Sequence, residues 1–264
     1  MDINDITNTL YKQYFKVFSD TEEIPVKIIL TDNLAKSHYE LRPDRKEELI
    51  AQNIEAYNIQ NGRMVTPRSN DEPTYILLNT KMIKKYTEDG SMTWVGTLAH
   101  ELTHAIDYIQ FANREGLNSL DIIEGTSNFY MFQLWSEYHA RKRGYYFLRL
   151  FFENQNMLDA REIQVEYILQ TEWPFHMKNH FREYHENTNG NNQMYITMQL
   201  LGRYSVWCDL FPDDFNKEAF ARDYAQTPWM VHLFTFLRAH ETLDDIYGNF
   251  NKLKSVFEEN WTIT

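Results

Sequence analysis

Cysteine is almost absent: Cys208 is the single one in 264 residues. An internal disulfide, a cysteine-built metal site and a Cys-x-x-Cys redox pair are therefore excluded. Long apolar runs are missing as well. The longest aromatic-rich stretch, Tyr145 to Phe152, is interrupted by Arg149 and falls well short of the roughly 20 apolar residues that span a bilayer. The opening Met1-Asp2-Ile3-Asn4-Asp5 is acidic and lacks the apolar segment of a secretory signal. Basic charge is scarce too, since 26 Lys and Arg stand against 38 Asp and Glu, a net charge of −12. That balance disfavours broad binding to nucleic acid or to anionic membrane, both of which need concentrated cations. Arg141, Lys142 and Arg143 form a local basic run, too small for such a footprint. The expectation is a cytoplasmic protein with no nucleic-acid or membrane partner; its oligomeric state is not legible.

What is present is material for a core. Hydrophobic residues make up 43% of the chain, aromatics 15% and charged residues 24%, the profile of a globular protein. A chain of this size hides roughly 70–75% of its unfolded surface. The first third alternates helix and strand signals. Ile6, Leu10, Tyr14 and Val17 have helical spacing within residues 3–18, and Pro25 to Thr31 reads as a strand with Val26, Ile28 and Leu30 on one face. Asn61-Gly62 between short extended runs predicts a hairpin, because both residues tolerate positive φ. A further strand follows at Thr74 to Asn79.

From Ser91 onward the pattern is helical. Val95, Leu98, Ala99, Leu102, Ala105, Ile106 and Ile109 form one stripe. Residues 113–120 are a polar break, and an aromatic-rich helical region runs from there to about Phe152. Later helices, roughly 159–187, 192–209, 213–225 and 229–259, are punctuated by Pro174, the turn at 187–192, Pro212 and Pro228. The fold class expected is α+β and mainly helical, with a small mixed or antiparallel sheet of three or four strands. No repeat or linker marks a boundary. If one exists, it divides residues 1–152 from a helical subdomain at 153–264.

The chemistry sits at residues 100–104, His100-Glu101-Leu102-Thr103-His104. Two histidines four apart on a helix are rotated by about 40° and separated by about 6 Å along the axis, so both rings can meet on one ion. Imidazole suits Zn2+. Glu101 is about 100° round the helix, where it flanks the ion and can accept a proton from water activated there. The composition of this chain yields such a pentapeptide by chance about 0.025 times. Two histidines and a glutamate would otherwise be a costly way to fill a helix stripe.

The strand at 74–79 followed by a helix carrying His100-Glu101-x-x-His104 resembles the zincin superfamily of metallopeptidases. A glutamate on a downstream helix is similar to the gluzincin arrangement. The resemblance covers roughly residues 70–150. It implies a twisted sheet, an active-site helix, and a helical second part closing a cleft. No histidine occupies the metzincin position, where Gln110 stands, so a carboxylate is expected as third ligand. Glu124 is 20 residues past His104, a spacing similar to several gluzincins, and Glu137 is 33 past it. On one continuous helix the two would be about 20 Å apart, so both cannot bind the same ion. Glu137 is favoured, because Ala140 would admit close helix packing and a carboxylate among Phe132, Leu134, Trp135 and Tyr138 needs a partner if buried. The competing reading pairs it with Arg141 on a wet surface. For Glu124 the competing role is first-turn helix electrostatics behind an Asp121 cap.

Asp107 on the ligand stripe reads either as a partner for a ligand's second ring nitrogen or as a solvated carboxylate. His176 and His180 also stand four apart, without a glutamate between them, and read as a surface or core pair. The function expected is a zinc-dependent metallopeptidase, with His100, His104 and Glu137 as ligands, Glu101 as general base and a peptide or protein as substrate. The resemblance also implies a Tyr or His donor to the oxyanion from the second half. The strand at 74–79 is a candidate to pair with an extended substrate. The alternatives are an inactive zincin-like scaffold or sensor that still binds metal, and a helical interaction protein in which the pentapeptide is accidental.

Overall fold

The structure, a computed structural model, describes residues 3–45, 47, 54–68, 72–187 and 189–261. It divides into two compact units. The first comprises Met1–Thr126 and Arg143–Phe151, the second Ser127–Lys142 and Phe152–Thr264. The fold is α+β and mainly helical, with one three-stranded mixed sheet. Among the described residues, no helix is long and apolar enough to cross a membrane.

In the first unit, α1 (Ile3–Val17) leads to β1 (Val26–Thr31), α2 (Leu34–Leu41), a short α3 (Ile54–Asn58), β2 (Gly62–Val65) and β3 (Thr74–Asn79). Then come α4 (Thr80–Glu88) and the motif helix α5 (Thr93–Arg114). The strand order is β1-β3-β2, with β1 parallel and β2 antiparallel to β3. Two expectations fail here. Asn61-Gly62 does not turn a hairpin: it ends the short turn after α3 and opens β2, and Gly62 has no positive φ. Residues 74–79 form the middle strand, hydrogen-bonded on both sides, so they offer no edge to an extended substrate.

Alternation along β3 explains the layering. Ile76 and Leu78 enter a core with Leu10, Tyr14, Ile83, Trp94, Val95, Leu98, Ala99, Leu102 and Ile106. Leu77, one residue out of phase, meets Leu34, Ala35, Tyr57 and Val65 on the other face. Val26, Ile28 and Leu30 of β1 line the larger core, and Ile29 lines the smaller. α5 therefore lies against the sheet along its apolar stripe. Its end is set by Gly116 at φ 66°, which lets the Leu117 N–H bond back to the Ala112 carbonyl at 2.9 Å.

A 3-10 turn at Leu120–Gly125 precedes α6 (Phe129–Asn154), so residues 121–152 are not one helix. Residues 129–142 of α6 belong to the second unit and Arg143–Phe151 to the first. Its later half packs in the first unit, where Gly144 meets α5. A Cβ on Gly144 would lie 2.7 Å from the Gly96 carbonyl oxygen and 3.0 Å from His100 Cβ.

The earlier half of α6 is fixed in the second unit by α9 (Gly190–Leu210), which follows α7 (Arg161–Tyr167) and α8 (Trp173–Glu186). A Cβ on Gly202 would stand 2.5 Å from the Tyr138 carbonyl oxygen. The Tyr138 hydroxyl meets Ser205 Oγ at 2.8 Å. Lys142 and Arg238 both bridge Asp209 and Glu241 at 2.7–2.9 Å. Trp173, Tyr204, Trp207, Phe220 and Tyr224 form the aromatic centre. Pro174 does not end a helix: it sits in the first turn of α8, where no N–H is needed, and the preceding turn, Ile168–Glu172, widens to a π-helix. α10 (Lys217–Asp223), α11 (Pro228–Arg238), α12 (Leu243–Tyr247) and α13 (Phe250–Trp261) complete the unit.

Candidate metal centre

His100 and His104 occupy the same side of α5 because four residues nearly close a helical turn. Their Nε2 atoms lie 3.1 Å apart, with the rings perpendicular and 4.5 Å between centroids. Two ligands at about 2.05 Å on a tetrahedral ion stand about 3.3 Å apart, so this spacing fits a shared cation. Glu137 projects from α6, two turns before the glycine at which that helix meets α5. One ligand atom from each of His100, His104 and Glu137 falls within 4.8 Å of the others. Among the described residues this is the one such group of three or more metal-ligating side chains.

The donor set fits Zn2+. Two neutral imidazoles and one carboxylate would leave such an ion a formal charge of about +1 and room for water. Glu137 is 2% exposed and His100 8%, so a charged carboxylate here has been removed from water, a cost that a bound cation offsets. Arg141, one turn along α6, stands 3.9 Å from Glu137, with side-chain exposures of 30% and 3%. The wet surface pair is thus not what the structure contains, since the carboxylate is buried and the contact is too long for a hydrogen bond.

Glu124 is elsewhere. It is exposed and pairs with Arg45 at 2.9 Å. Asp121 binds the buried Arg42 guanidinium at 2.7 Å, and Ser119 caps the turn in its place. Asp107 is 1% exposed, which removes the solvated reading; its charge is felt by Tyr14 and Arg143. His176 and His180 turn to different partners. His176 contacts Arg203 and Glu172, while His180 Nε2 meets Thr197 Oγ1 at 3.0 Å. Burial depresses the basicity of both rings.

Glu101 is 9% exposed, and its Oε2 accepts the Met64 backbone N–H at 2.7 Å. It stands outside the three-ligand group. Its charge also helps raise the Tyr57 pKa to about 12, mainly an effect of burial, and the Tyr57 hydroxyl bonds His38 Nδ1. Sequence reasoning did not single out Gly144, Gly202 or the Met64 amide, and it read Gly62 as a hairpin residue. A glycine within a helix, where it costs about 1 kcal/mol against alanine, was the signal available for the first two. No family model matches this sequence, and neither a curated protein nor a solved structure matches it.

Proposed function

We propose that the protein is a zinc-dependent hydrolase, with peptide bonds as the substrate class that the zincin resemblance implies. His100, His104 and Glu137 would hold the ion. The observation that carries this reading is the convergence of three ligand atoms, from the buried His100 and Glu137 and the half-buried His104, with a second carboxylate, Glu101, next to His100 on α5 and tied to the sheet. Bound there, zinc supplies Lewis acidity, polarising a carbonyl oxygen and acidifying water. Glu101 takes a proton from the attacking water and delivers it to the leaving nitrogen. α5 alone holds His100 and His104 one turn apart before any substrate arrives, so little reorganisation of that pair is needed at the moment of reaction.

Elemental analysis of the parent, Glu124→Ala and Glu137→Ala tests the ligand set. About one zinc per chain is expected in the parent and in Glu124→Ala, and much less in Glu137→Ala. Full zinc in Glu137→Ala overturns the third ligand. Glu101→Gln should retain zinc and lose hydrolysis of an internally quenched peptide mixture by 100-fold or more, on the order of a general base's contribution. Stoichiometric zinc with no turnover in the parent would favour a metal-binding scaffold.

A further inference from the structure

The carboxylate assigned above as general base is held by the edge of the sheet. Among the described residues β2 is an outer strand, and the Asn61 carbonyl accepts the Asn79 N–H at 2.9 Å across to β3. Backbone polar groups alternate sides along an antiparallel strand, so Gly62 and Met64 turn theirs away from β3. Groups on such an edge ordinarily face water or an added strand. The Met64 N–H instead donates to Glu101 Oε2 at 2.7 Å, the length of a charge-assisted bond.

Such a bond requires β2 to run close to α5. Gly62 leaves room for neighbours on both sides, since a Cβ there would stand 2.8 Å from the Leu77 carbonyl oxygen and 2.9 Å from Leu78 Cδ2, both in β3, and 3.1 Å from Thr97 Cγ2 in α5. Thr97 precedes Glu101 by one helical turn, and Gly62 precedes Met64 by two strand positions. Two strand residues advance about 6.7 Å and four helix residues about 6 Å. The strand and helix therefore run side by side in step, and the contact of Gly62 with Thr97 sets Met64 opposite Glu101.

We propose that Gly62 and the Met64 amide form a positioning device for Glu101. The amide fixes one carboxylate oxygen and so sets the direction of the other, while Gly62 fixes the strand-to-helix distance on which that bond depends. This rests on reading Glu101 as the base. It also means that an extended peptide laid along β2 cannot use the Met64 N–H.

The test has two arms. Amide hydrogen exchange reads the bond without any turnover: the Met64 amide should be protected in the parent and exchange at least about 10-fold faster in Glu101→Ala, with Arg63 and Val65 unchanged. Equal Met64 exchange in the two proteins overturns the proposal. In the second arm, the Met64 residue is replaced by its α-hydroxy acid, which removes the N–H and little else, and Gly62→Ala is measured beside it. Both should keep parental zinc and KM on the quenched peptide mixture and lose about 10–100-fold in kcat, the scale of a misplacement near 1 Å. Parental kcat in the ester variant overturns the positioning role, and so does loss of zinc in place of kcat. A parent without zinc overturns the hydrolase reading instead, and the exchange arm still judges the bond.

Discussion

Gly144→Ala probes whether the ligand geometry depends on a single helix crossing. The added Cβ would meet the Gly96 carbonyl oxygen at 2.7 Å and His100 Cβ at 3.0 Å. The first obstacle is helix backbone, which cannot swing aside, so α5 and α6 must part by about 0.5 Å or more to reach ordinary contact. Overpacking of this kind costs about 1–3 kcal/mol, and each kcal/mol lowers the melting temperature of a chain this long by about 2–4 °C. The second obstacle is the Cβ of a proposed ligand. Metal–ligand distances tolerate only about ±0.2 Å, so a displaced His100 should weaken zinc binding by roughly 10–100-fold, the scale seen when ligand support is lost. Thermal melts of the chelated protein isolate the packing cost, and competition titration against a chromogenic chelator isolates the metal term. Gly125→Ala, where an added Cβ meets nothing within 4 Å, is the control expected to change neither. Parental melting and parental zinc affinity in Gly144→Ala would refute the claim that this crossing sets the site.

Gly202→Ala should destabilise the second unit by at least about 2 kcal/mol, because its Cβ would stand 2.5 Å from the Tyr138 backbone oxygen; urea denaturation with the parental midpoint would contradict this. His38 is pushed down to about 4, first by burial and then by the Arg63, Arg42 and Arg45 charges. The unfolded chain takes up that proton near pH 6.5, so this contribution is complete above about 6.5 and is lost as pH falls to about 4, a change of about 3 kcal/mol. His38→Gln should flatten that part of the stability curve measured by urea denaturation, and an unchanged slope would refute the assignment.

The parts of the fold written locally were legible in the sequence. α5 announces itself through a 3.6-residue stripe, and its metal-binding face follows from two histidines one turn apart, so neither needs knowledge of the rest of the chain. Strands 26–31 and 74–79 were readable for the same reason. Strand order was not, because it is decided by partners far apart in sequence. A signal existed nonetheless: Ile76, Leu77 and Leu78 are consecutive and all fully buried, as befits a central strand covered on both faces. Asn61-Gly62 misled because glycine serves two purposes. A hairpin would use its tolerance of positive φ, whereas here the missing side chain makes room for β3 and for Thr97 of α5. The choice of Glu137 over Glu124 as third ligand rested on its neighbours alone, for a similar reason. Glu124 is engaged by Arg45, 79 residues away, and Glu137 stands in one three-ligand group with histidines 33 and 37 residues before it. Nothing local to either glutamate records those partners.

Chelation separates a catalytic metal from one that holds the fold together. The stripe of α5 that faces the sheet, with Leu98, Leu102 and Ile106, is buried in apolar side chains, and the other face of the sheet has its own cluster. These clusters are built of apolar side chains, so the core is expected to stand without an ion. Metal binding to the folded state alone then adds RT ln(1 + [Zn]/Kd), about 2.7 kcal/mol at 100 times Kd, or roughly 5–10 °C in melting temperature for a chain of this length. The expected outcome of adding a strong chelator is a single cooperative melt shifted down by that amount, with far-ultraviolet circular dichroism unchanged at 20 °C and the shift abolished in Glu137→Ala. Collapse of the helical signal on chelation would refute the claim of a metal-independent core and make the ion structural. An unmoved melt in the parent would show that the convergent histidines and glutamate bind nothing, and the proposed chemistry would fall with them.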